Sequence, residues 1–310
     1  MTSSVAITRG RQERSADTAL LRRERRERRA AYGFLTPSAA GLTVFILFPS
    51  VLAIVTSFFD WPTFGEIEFN GWDNYAALIE PGSTFPTSLL NTVLFTALII
   101  PINLLVTLSL AFWVASSRFK QLYRVLFFLP VVTPTVATSI IWSMLYQPGG
   151  LIDFLAQSAG IDAPNLLANK STALYAIVVV IIWQGLGYNV LIFSAAIDQL
   201  SEDVIAAAKM DGAHAFRILT QIKVPLITPA IFFATTITMI QAFQIFNEPF
   251  IMTAGGPGHA TTTVVMDIYQ TAFQGGDLGA AAAPAMVLFA LIIVVTMLQW
   301  IGQKRWVHYG

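Results

Sequence analysis

Six long apolar runs, separated by shorter polar stretches, set the pattern of hydrophobic and polar positions along this chain. A helix needs about 20 residues to cross a hydrocarbon core of about 30 Å. Each run meets that length, so the pattern predicts an all-α membrane protein with six transmembrane helices. The runs cover approximately residues 32–58, 89–115, 122–146, 172–197, 226–250 and 282–302.

Proline residues lie within these runs or at their edges. Proline removes a backbone hydrogen-bond donor, but a membrane helix that packs against other protein can tolerate it. We therefore expect kinks in several of the helices. The prolines concerned are Pro37, Pro49, Pro101, Pro130, Pro134 and Pro284.

The composition agrees with a place in the membrane. Of the 310 residues, 55% are hydrophobic and only 12% are charged, whereas soluble domains carry about 25% charged residues. The chain has no cysteine, which excludes disulfide frameworks, thiolate metal sites and thiol catalysis and leaves the redox compartment open. Its formal net charge is zero, so we expect no nucleic-acid partner.

The basic residues divide the connections between the runs into two classes. All 18 lysine and arginine residues except Lys170 lie in the N-terminal tail, in the second and fourth connections, or at the C-terminus. The positive-inside rule assigns such segments to the cytoplasm. We therefore expect both termini and the 198–225 connection to be cytoplasmic, with the acidic and aromatic loops near 60–88, 147–171 and 251–281 on the other side.

The chain is thus divided into a basic cytoplasmic tail, residues 1–30, and a transmembrane domain, residues 31–310. The tail is not followed by the short apolar core and small-residue cleavage site of a signal peptide, so we expect it to be retained. Its arginines are expected to contact anionic membrane lipid.

The fourth connection is long and patterned. Ser201, Glu202 and Asp203 predict the start of a short helix. A sharp turn is expected at Gly212, and Asp211 just before it is expected to cap a second short helix. Two short helices at an angle, with small exposed side chains, form a shape on which another protein can dock.

The segment AAAKMDGAHAFRILTQIKVPLITP, which starts at Ala206, resembles the EAA loop of the membrane subunits of binding-protein-dependent ABC importers. In that family the loop is the coupling helix, which sits in a cleft of the ATP-binding subunit. Ala206 occupies the place of the family's Glu. The charge contact that this Glu makes with the ATPase could come instead from Glu202 or Lys209 of this chain. Within a cytoplasmic loop 199–228, the resemblance assigns the coupling role to Ala206, Ala207, Ala208, Asp211, Gly212, Ala213 and Phe216, and Pro225 also matches.

Three further segments carry the same resemblance. FNGWDNYAALI (69–79) is similar to the family's glycine-led Asn-Tyr motif after the first span, and LYRVLFFLPVVTPTVATSIIWSMLY (122–146) is similar to its third span. TAGGPGHATTTVVMDIYQTAFQ (253–274) resembles the Gly-Gly-Pro segment of the maltose-type and glycerol-phosphate-type half of the carbohydrate-uptake permeases. Four matches in chain order make the resemblance specific.

The resemblance implies the type I permease fold of ABC importers, in a bacterial cell (inner) membrane. It implies four kinds of partner: a second, homologous permease, two ATP-binding subunits, an extracytoplasmic substrate-binding protein and membrane lipid. ATP and magnesium would be bound by the partner ATPase, so the chain itself would be no enzyme and would hold no cofactor. In agreement, the sequence has no G-x-x-x-x-G-K-[ST] loop to hold ATP phosphates.

Polar side chains within the fourth run are the first candidates for a substrate path, because a polar group that faces lipid is costly. Gln184 and Tyr188 are four residues apart and share a helix face, and Asn189 lies beside them. Gly185 and Gly187 would let a neighbouring helix or a ligand approach the backbone.

The fifth run carries a second polar stripe. Gln241, Gln244 and Glu248 follow the spacing i, i+3 and i+7, which predicts one helix face with Asn247 at its edge. In the permeases that this chain resembles, substrate contacts come mainly from these two stretches. The candidate path residues are Gln184, Gly187, Tyr188, Asn189, Gln241, Gln244, Asn247 and Glu248.

Amide side chains inside membrane bundles also bond helix to helix. A packing role therefore stays open for each amide among these candidates. For Asn91, Asn103 and Gln299 we favour helix packing or an interface position over a ligand contact.

Charge narrows the expected cargo. The interiors of the runs contain no Lys, Arg or His, so a phosphate or carboxylate would meet no cation from this chain unless a helix N-terminus or a partner supplied one. A sugar or oligosaccharide is therefore the preferred cargo, with glycerol 3-phosphate or a glycerophosphodiester as the alternative. An ion-coupled secondary transporter and a purely structural membrane scaffold are more distant hypotheses.

Overall fold

The computed structural model describes residues 27–29, 31–160 and 165–304. Nearly all of the predicted basic tail, residues 1–30, lies outside these described residues. The chain divides into two compact units, Met1–Val55 and Thr56–Gly310.

Residues 31–56 form helix α1, which lies almost wholly in the first unit. Residues 31–56 include no charged residue, and three of their hydroxyl groups donate to carbonyl oxygens one turn earlier. Such internal hydrogen bonds satisfy polar groups without water, as the interior of a bilayer requires. The three bonds join Thr36 to Tyr32 (2.6 Å), Thr43 to Ala39 (2.8 Å) and Ser50 to Ile46 (2.7 Å).

The second unit is a helical bundle with one small two-stranded hairpin. Its elements are β1 (Phe59–Asp60), β2 (Glu68–Phe69), α2 (Asp73–Ala77), α3 (Phe85–Ala115), α4 (Lys120–Val132), α5 (Thr135–Tyr146), α6 (Leu151–Ser158), α7 (Ala173–Asp198), α8 (Glu202–Met210), α9 (Ala215–Ile218, continued through a π-helical turn Leu219–Lys223 to Val224–Leu226), α10 (Thr228–Phe243), α11 (Asn247–Thr253), α12 (Val264–Tyr269, continued by a π-helical turn Gln270–Gln274) and α13 (Leu278–Gln303). Strands β1 and β2 pair antiparallel.

Four helices in the described part of the chain are long and apolar enough to cross a membrane, namely α1, α3, α7 and α13. They coincide with the first, second, fourth and sixth predicted runs, and α3 and α13 each begin four residues earlier than predicted. The count rises to six if each of two sharply bent helix pairs makes one span. The all-α membrane fold is therefore confirmed, and six spans fit it.

The third predicted helix is not merely kinked. Helix α4 ends at Val132, and the chain turns by 93° before continuing as α5. Thr133 is extended, with ψ of 132°, because a residue that precedes a proline is disfavoured in the α-helical region. Pro134 therefore breaks this span in two.

The fifth predicted helix, 226–250, is also interrupted, and this corrects the expected single polar stripe. A 67° bend separates the stretch Ala215–Leu226 from α10, and α10 ends at Phe243 before α11 starts at Asn247. Pro249 explains the second break, since in a continuous helix its ring would clash with the carbonyl group of Ile245.

Helix α7 is the centre of the bundle. Half of its 26 residues are buried, and it packs against α3, α4, α10 and α11. The α4 backbone lies close to Gly187, where an added side chain would overlap the carbonyl oxygen of Phe127. Glycine at this position therefore lets the two backbones touch.

The loops at one end of the bundle are tied together by hydrogen bonds. Thr63 N donates to Gly276 O (2.6 Å) and Leu278 N donates to Trp61 O (2.9 Å), so the hairpin is fixed to the start of α13. Asp267, on α12, accepts a short hydrogen bond from Thr84. Burial raises the pKa of the Asp267 carboxyl, and the Thr84 hydrogen bond opposes that shift.

Gly187 and Gly185 provide a matched test of the packing of α7 against α4. Gly187→Ala should destabilise the folded protein by about 1–3 kcal/mol, because the new methyl group has to displace the α4 backbone. Gly185→Ala should be neutral or stabilising by up to about 1 kcal/mol, since its nearest neighbour would be Asn103 Nδ2 at 3.8 Å. Thermal unfolding of the detergent-solubilised variants measures the difference, and equal midpoints would contradict the close contact.

Candidate functional site

A cavity of about 410 Å³ opens between α3, the α4–α5 break, α7, α10 and α11. Its wall contains seven of the eight residues that the sequence selected as a substrate path. Gly187 is the exception: it is buried against α4 rather than at the cavity, which corrects its expected place. The cavity-lining candidates are Gln184, Tyr188, Asn189, Gln241, Gln244, Asn247 and Glu248.

Gln184 bridges α7 to the break between α4 and α5. Its Nε2 lies 3.2 Å from the Thr133 carbonyl oxygen and 3.2 Å from Thr135 Oγ1. The bond to Thr133 satisfies a carbonyl that the broken helix leaves open. Its Oε1 is buried and has no hydrogen-bond partner among the described residues. Gln184 therefore holds α7 to the α4–α5 break at the cavity wall.

Asn189 ties three helices together at the cavity. It is 5% exposed, and its Nδ2 donates to Asn103 Oδ1 on α3 (2.6 Å) and to Thr238 Oγ1 on α10 (3.0 Å). Its Oδ1 has no partner within the described part of the chain. Asn103 and Thr238 line the same cavity, although neither was among the sequence candidates. The visible signal was an asparagine inside the apolar run of α3.

The other two amides set aside as packing residues have the contacts expected of them. Asn91 Nδ2 donates to the carbonyl oxygens of His259 (2.8 Å) and Thr262 (3.0 Å). Gln299 Nε2 donates to Thr236 Oγ1 on α10 (2.9 Å). Both side chains hold elements of the bundle together, and neither lines the cavity.

The break between α10 and α11 forms the opposite wall of the cavity. Because Pro249 has no N–H, the Ile245 carbonyl loses its helical donor, and Thr263 Oγ1 donates to it instead (2.7 Å). The break divides the expected stripe, since Gln241 and Gln244 lie at the end of α10 whereas Glu248 lies in the first turn of α11. Both ends of the break nevertheless reach the cavity.

Glu248 is the sole charged residue among the described residues that line the cavity, and no Lys, Arg or His accompanies it there. The remaining polar groups are amides, hydroxyl groups and the Tyr188 phenol. Such a wall can hydrogen-bond hydroxyl groups, and its described residues offer an anion no positively charged side chain.

The connection after α7 has the two short helices predicted for it, α8 and α9. Gly212 has φ of +78° at the turn between them, a conformation that glycine adopts without strain. The expected helix cap is wrong: Asp211 ends α8, whereas His214 caps α9 by accepting from Arg217 N (3.3 Å). His214 can take this place because its ring Nδ1 is an acceptor.

The side chains to which the resemblance assigned the coupling role form an accessible surface. Phe216 is 69% exposed and Met210 is 89% exposed, so large apolar groups stand beside the small ones. The exposed members are Ala206, Ala207, Asp211, Gly212 and Phe216, and the half-buried ones are Ala208 and Ala213.

Comparison with known proteins places these features in a family. A family model described as the binding-protein-dependent transport system inner membrane component matches residues 103–307. The probable starch degradation products transport system permease protein AmyD of Thermoanaerobacterium thermosulfurigenes is 30% identical, over 88% of this chain and 93% of that protein. The sn-glycerol-3-phosphate transport system permease protein UgpA of Yersinia enterocolitica is 33% identical, over 90% and 95%.

Solved structures show the same fold. One chain of a bacterial alginate ABC transporter, in complex with an alginate pentasaccharide-bound periplasmic protein, is similar with a TM-score of 0.80 at 17% identity, over 90% of this chain and 96% of that chain. A second structure of a bacterial alginate importer gives 0.79 at 19% identity, over 92% and 98%. Because the family model matches about two thirds of this chain, the chain belongs to the family of binding-protein-dependent transport system inner membrane components.

Proposed function

We propose that this chain is the membrane subunit of an ATP-driven importer and that a sugar or oligosaccharide passes through the cavity between α7 and α10. The observation that carries the proposal is the wall of that cavity, which joins amide and hydroxyl groups to a single carboxylate. Amides and carboxylates hydrogen-bond the hydroxyl groups of a sugar. The starch-product permease among the relatives agrees with such a cargo.

Glycerol 3-phosphate or a glycerophosphodiester is the second candidate cargo, because a sn-glycerol-3-phosphate permease is at least as similar to this chain. The lining of the cavity disfavours it. A phosphate that leaves water needs a compensating positive charge, and the described cavity wall supplies no Lys, Arg or His.

The partners follow from the same proposal. A second, homologous permease completes the path, an extracytoplasmic binding protein delivers the cargo, and two ATP-binding subunits bind ATP and magnesium. The coupling loop 199–228 faces the cytoplasm, as do both termini, since the basic residues concentrate on that side. ATP hydrolysis then belongs to the partner and not to this chain.

Movement of the cargo would come from rigid-body motion of the bundle. Closure of the two ATP-binding subunits draws the coupling loops together and turns the path from inward-facing to outward-facing. The exposed surface of α8 and α9 is the contact through which the ATPase acts. Family membership favours this mechanism over an ion-coupled secondary transporter or a structural scaffold.

The cargo can be tested on the importer purified through a tag on this chain and reconstituted into vesicles. We expect ATP-dependent uptake of a labelled neutral oligosaccharide, with maltotriose as the first probe of a neutral panel, and no uptake of labelled sn-glycerol 3-phosphate. The opposite selectivity would show that the cargo assignment is wrong.

Variants of the cavity test the path itself. Glu248→Ala should lower uptake about tenfold and Gln244→Ala about fivefold, because each removes a hydrogen-bonding group from the wall. Gln299→Ala is the matched control, since that amide lies outside the cavity. All three complexes should assemble normally. Uptake at the natural rate in both cavity variants would indicate that Gln244 and Glu248 only pack helices.

The coupling loop is tested at Gly212, where an added Cβ would meet nothing within 4 Å. Gly212→Val should abolish stimulation of ATP hydrolysis by the loaded binding protein, because a left-handed backbone costs a residue with Cβ about 1–2 kcal/mol. Gly212→Asn is the control, since asparagine tolerates this conformation. Full stimulation in the valine variant would count against docking through this turn.

A further inference from the structure

Four residues join the start of α4 to the end of α7, and we call them the basal clamp: Lys120, Arg124, Ser194 and Asp198. Arg124 donates from Nε to Ser194 Oγ (2.8 Å) and from Nη2 to the Ser194 carbonyl oxygen (3.2 Å) and to Asp198 Oδ2 (2.7 Å). Lys120 Nζ lies 3.2 Å from Asp198 Oδ1. Arg124 therefore binds three acceptors, whereas Lys120 has a single contact with Asp198.

The two cations of the basal clamp differ in how firmly they are held. The Lys120 side chain is 48% exposed and the Arg124 side chain only 14%. An exposed ion pair on a flexible side chain does little to fix geometry, because water screens it. A guanidinium that forms charge-assisted hydrogen bonds through two of its nitrogens has a defined orientation. Arg124 is therefore the residue that sets the position of α4 against α7.

The basal clamp lies directly beside the coupling loop. Asp198 is the last residue of α7, and α8 begins only four residues later at Glu202. Ser194, one turn before Asp198, is fully buried. A cation is also favourable at this end of a helix, where the backbone dipole is negative. Any displacement of α8 therefore acts first on the residues that hold Arg124.

Helices α4 and α7 are joined at two further levels above the clamp. Gly187 lets the α7 backbone touch Phe127, and Gln184 bonds the Thr133 carbonyl where α4 ends. Val131, near that end of α4, lines the cavity. Because close-packed contacts do not deform continuously, the two helices form one rigid path from the coupling loop to the cavity wall.

We propose that Arg124 is a positioning residue that makes α4 follow the coupling loop, so that a displacement of α8 moves the cavity wall at Val131. This inference rests on the proposed function, because it requires an ATPase bound at the loop 199–228. The α4–α7 pair carries the displacement as one body, from the basal clamp to the break at Thr133.

The test uses the whole purified importer with Val131→Cys as a reporter. The chain has no cysteine, so this substitution creates a single maleimide-reactive site in it. The labelling rate is read on this chain by mass spectrometry, without nucleotide and after trapping with ATP and vanadate. We expect the two rates to differ about tenfold with Arg124 in place.

Adding Arg124→Met should bring the two labelling rates within about twofold of each other, with normal assembly and normal ATP hydrolysis in the absence of binding protein. Arg124→Lys should keep part of the response, because an ammonium group reaches Asp198 but cannot bond Ser194 in the same way. Lys120→Met is the matched control and should keep the full difference between the two labelling rates. If Arg124→Met does not assemble, a reduced response of Arg124→Lys at normal hydrolysis supports the proposal.

Several outcomes overturn the role of Arg124. One is a full difference between the two labelling rates in Arg124→Met or in Arg124→Lys. Another is an equal loss of that difference in Lys120→Met. A third is unchanged labelling of Val131→Cys in the otherwise natural chain while loaded binding protein still stimulates ATP hydrolysis. Failure of the proposed function is distinguishable, since the natural importer would then show no stimulated hydrolysis at all.

Discussion

The need of every backbone carbonyl for a hydrogen-bond donor decides where this bundle can be broken. Within a bilayer no water is available, so an interrupted helix is tolerated only where protein or a water-filled cavity satisfies the open groups. Gln184 supplies the donor at Thr133, and Thr263 supplies it at Ile245. The two breaks face each other across one cavity, and the polar groups of the broken helices form its walls.

Helix α7 lines this cavity and packs against α3, α4, α10 and α11. It is the most central helix of the second unit, and its contacts with α4 extend from the basal clamp to the cavity. Glycine gives backbone contact at one level, an amide bonds a broken helix at the next, and an ion pair holds the base. Different chemistry at each level thus holds α4 and α7 together along this whole length.

The sequence predicted the long helices well, because the apolar character of a span is a local property of the chain. It did not predict that Pro134 and Pro249 interrupt their helices, since the partners that make a break tolerable lie 51 and 18 residues away. The polar candidates reached the cavity because lipid excludes them from the other faces. Gly187 could not be placed in advance, as a glycine admits a ligand or a backbone equally.

The bond between Thr263 and Ile245 links a loop at one end of the bundle to the wall of the cavity. Thr263 precedes α12 and caps the first turn of that helix by accepting from Met266 N. If the loop before α12 is lifted, the Ile245 carbonyl loses its donor while it still borders the cavity. The break at Ile245 is therefore stable only while Thr263 keeps its place, so the shape of this wall depends on the fold of a distant loop.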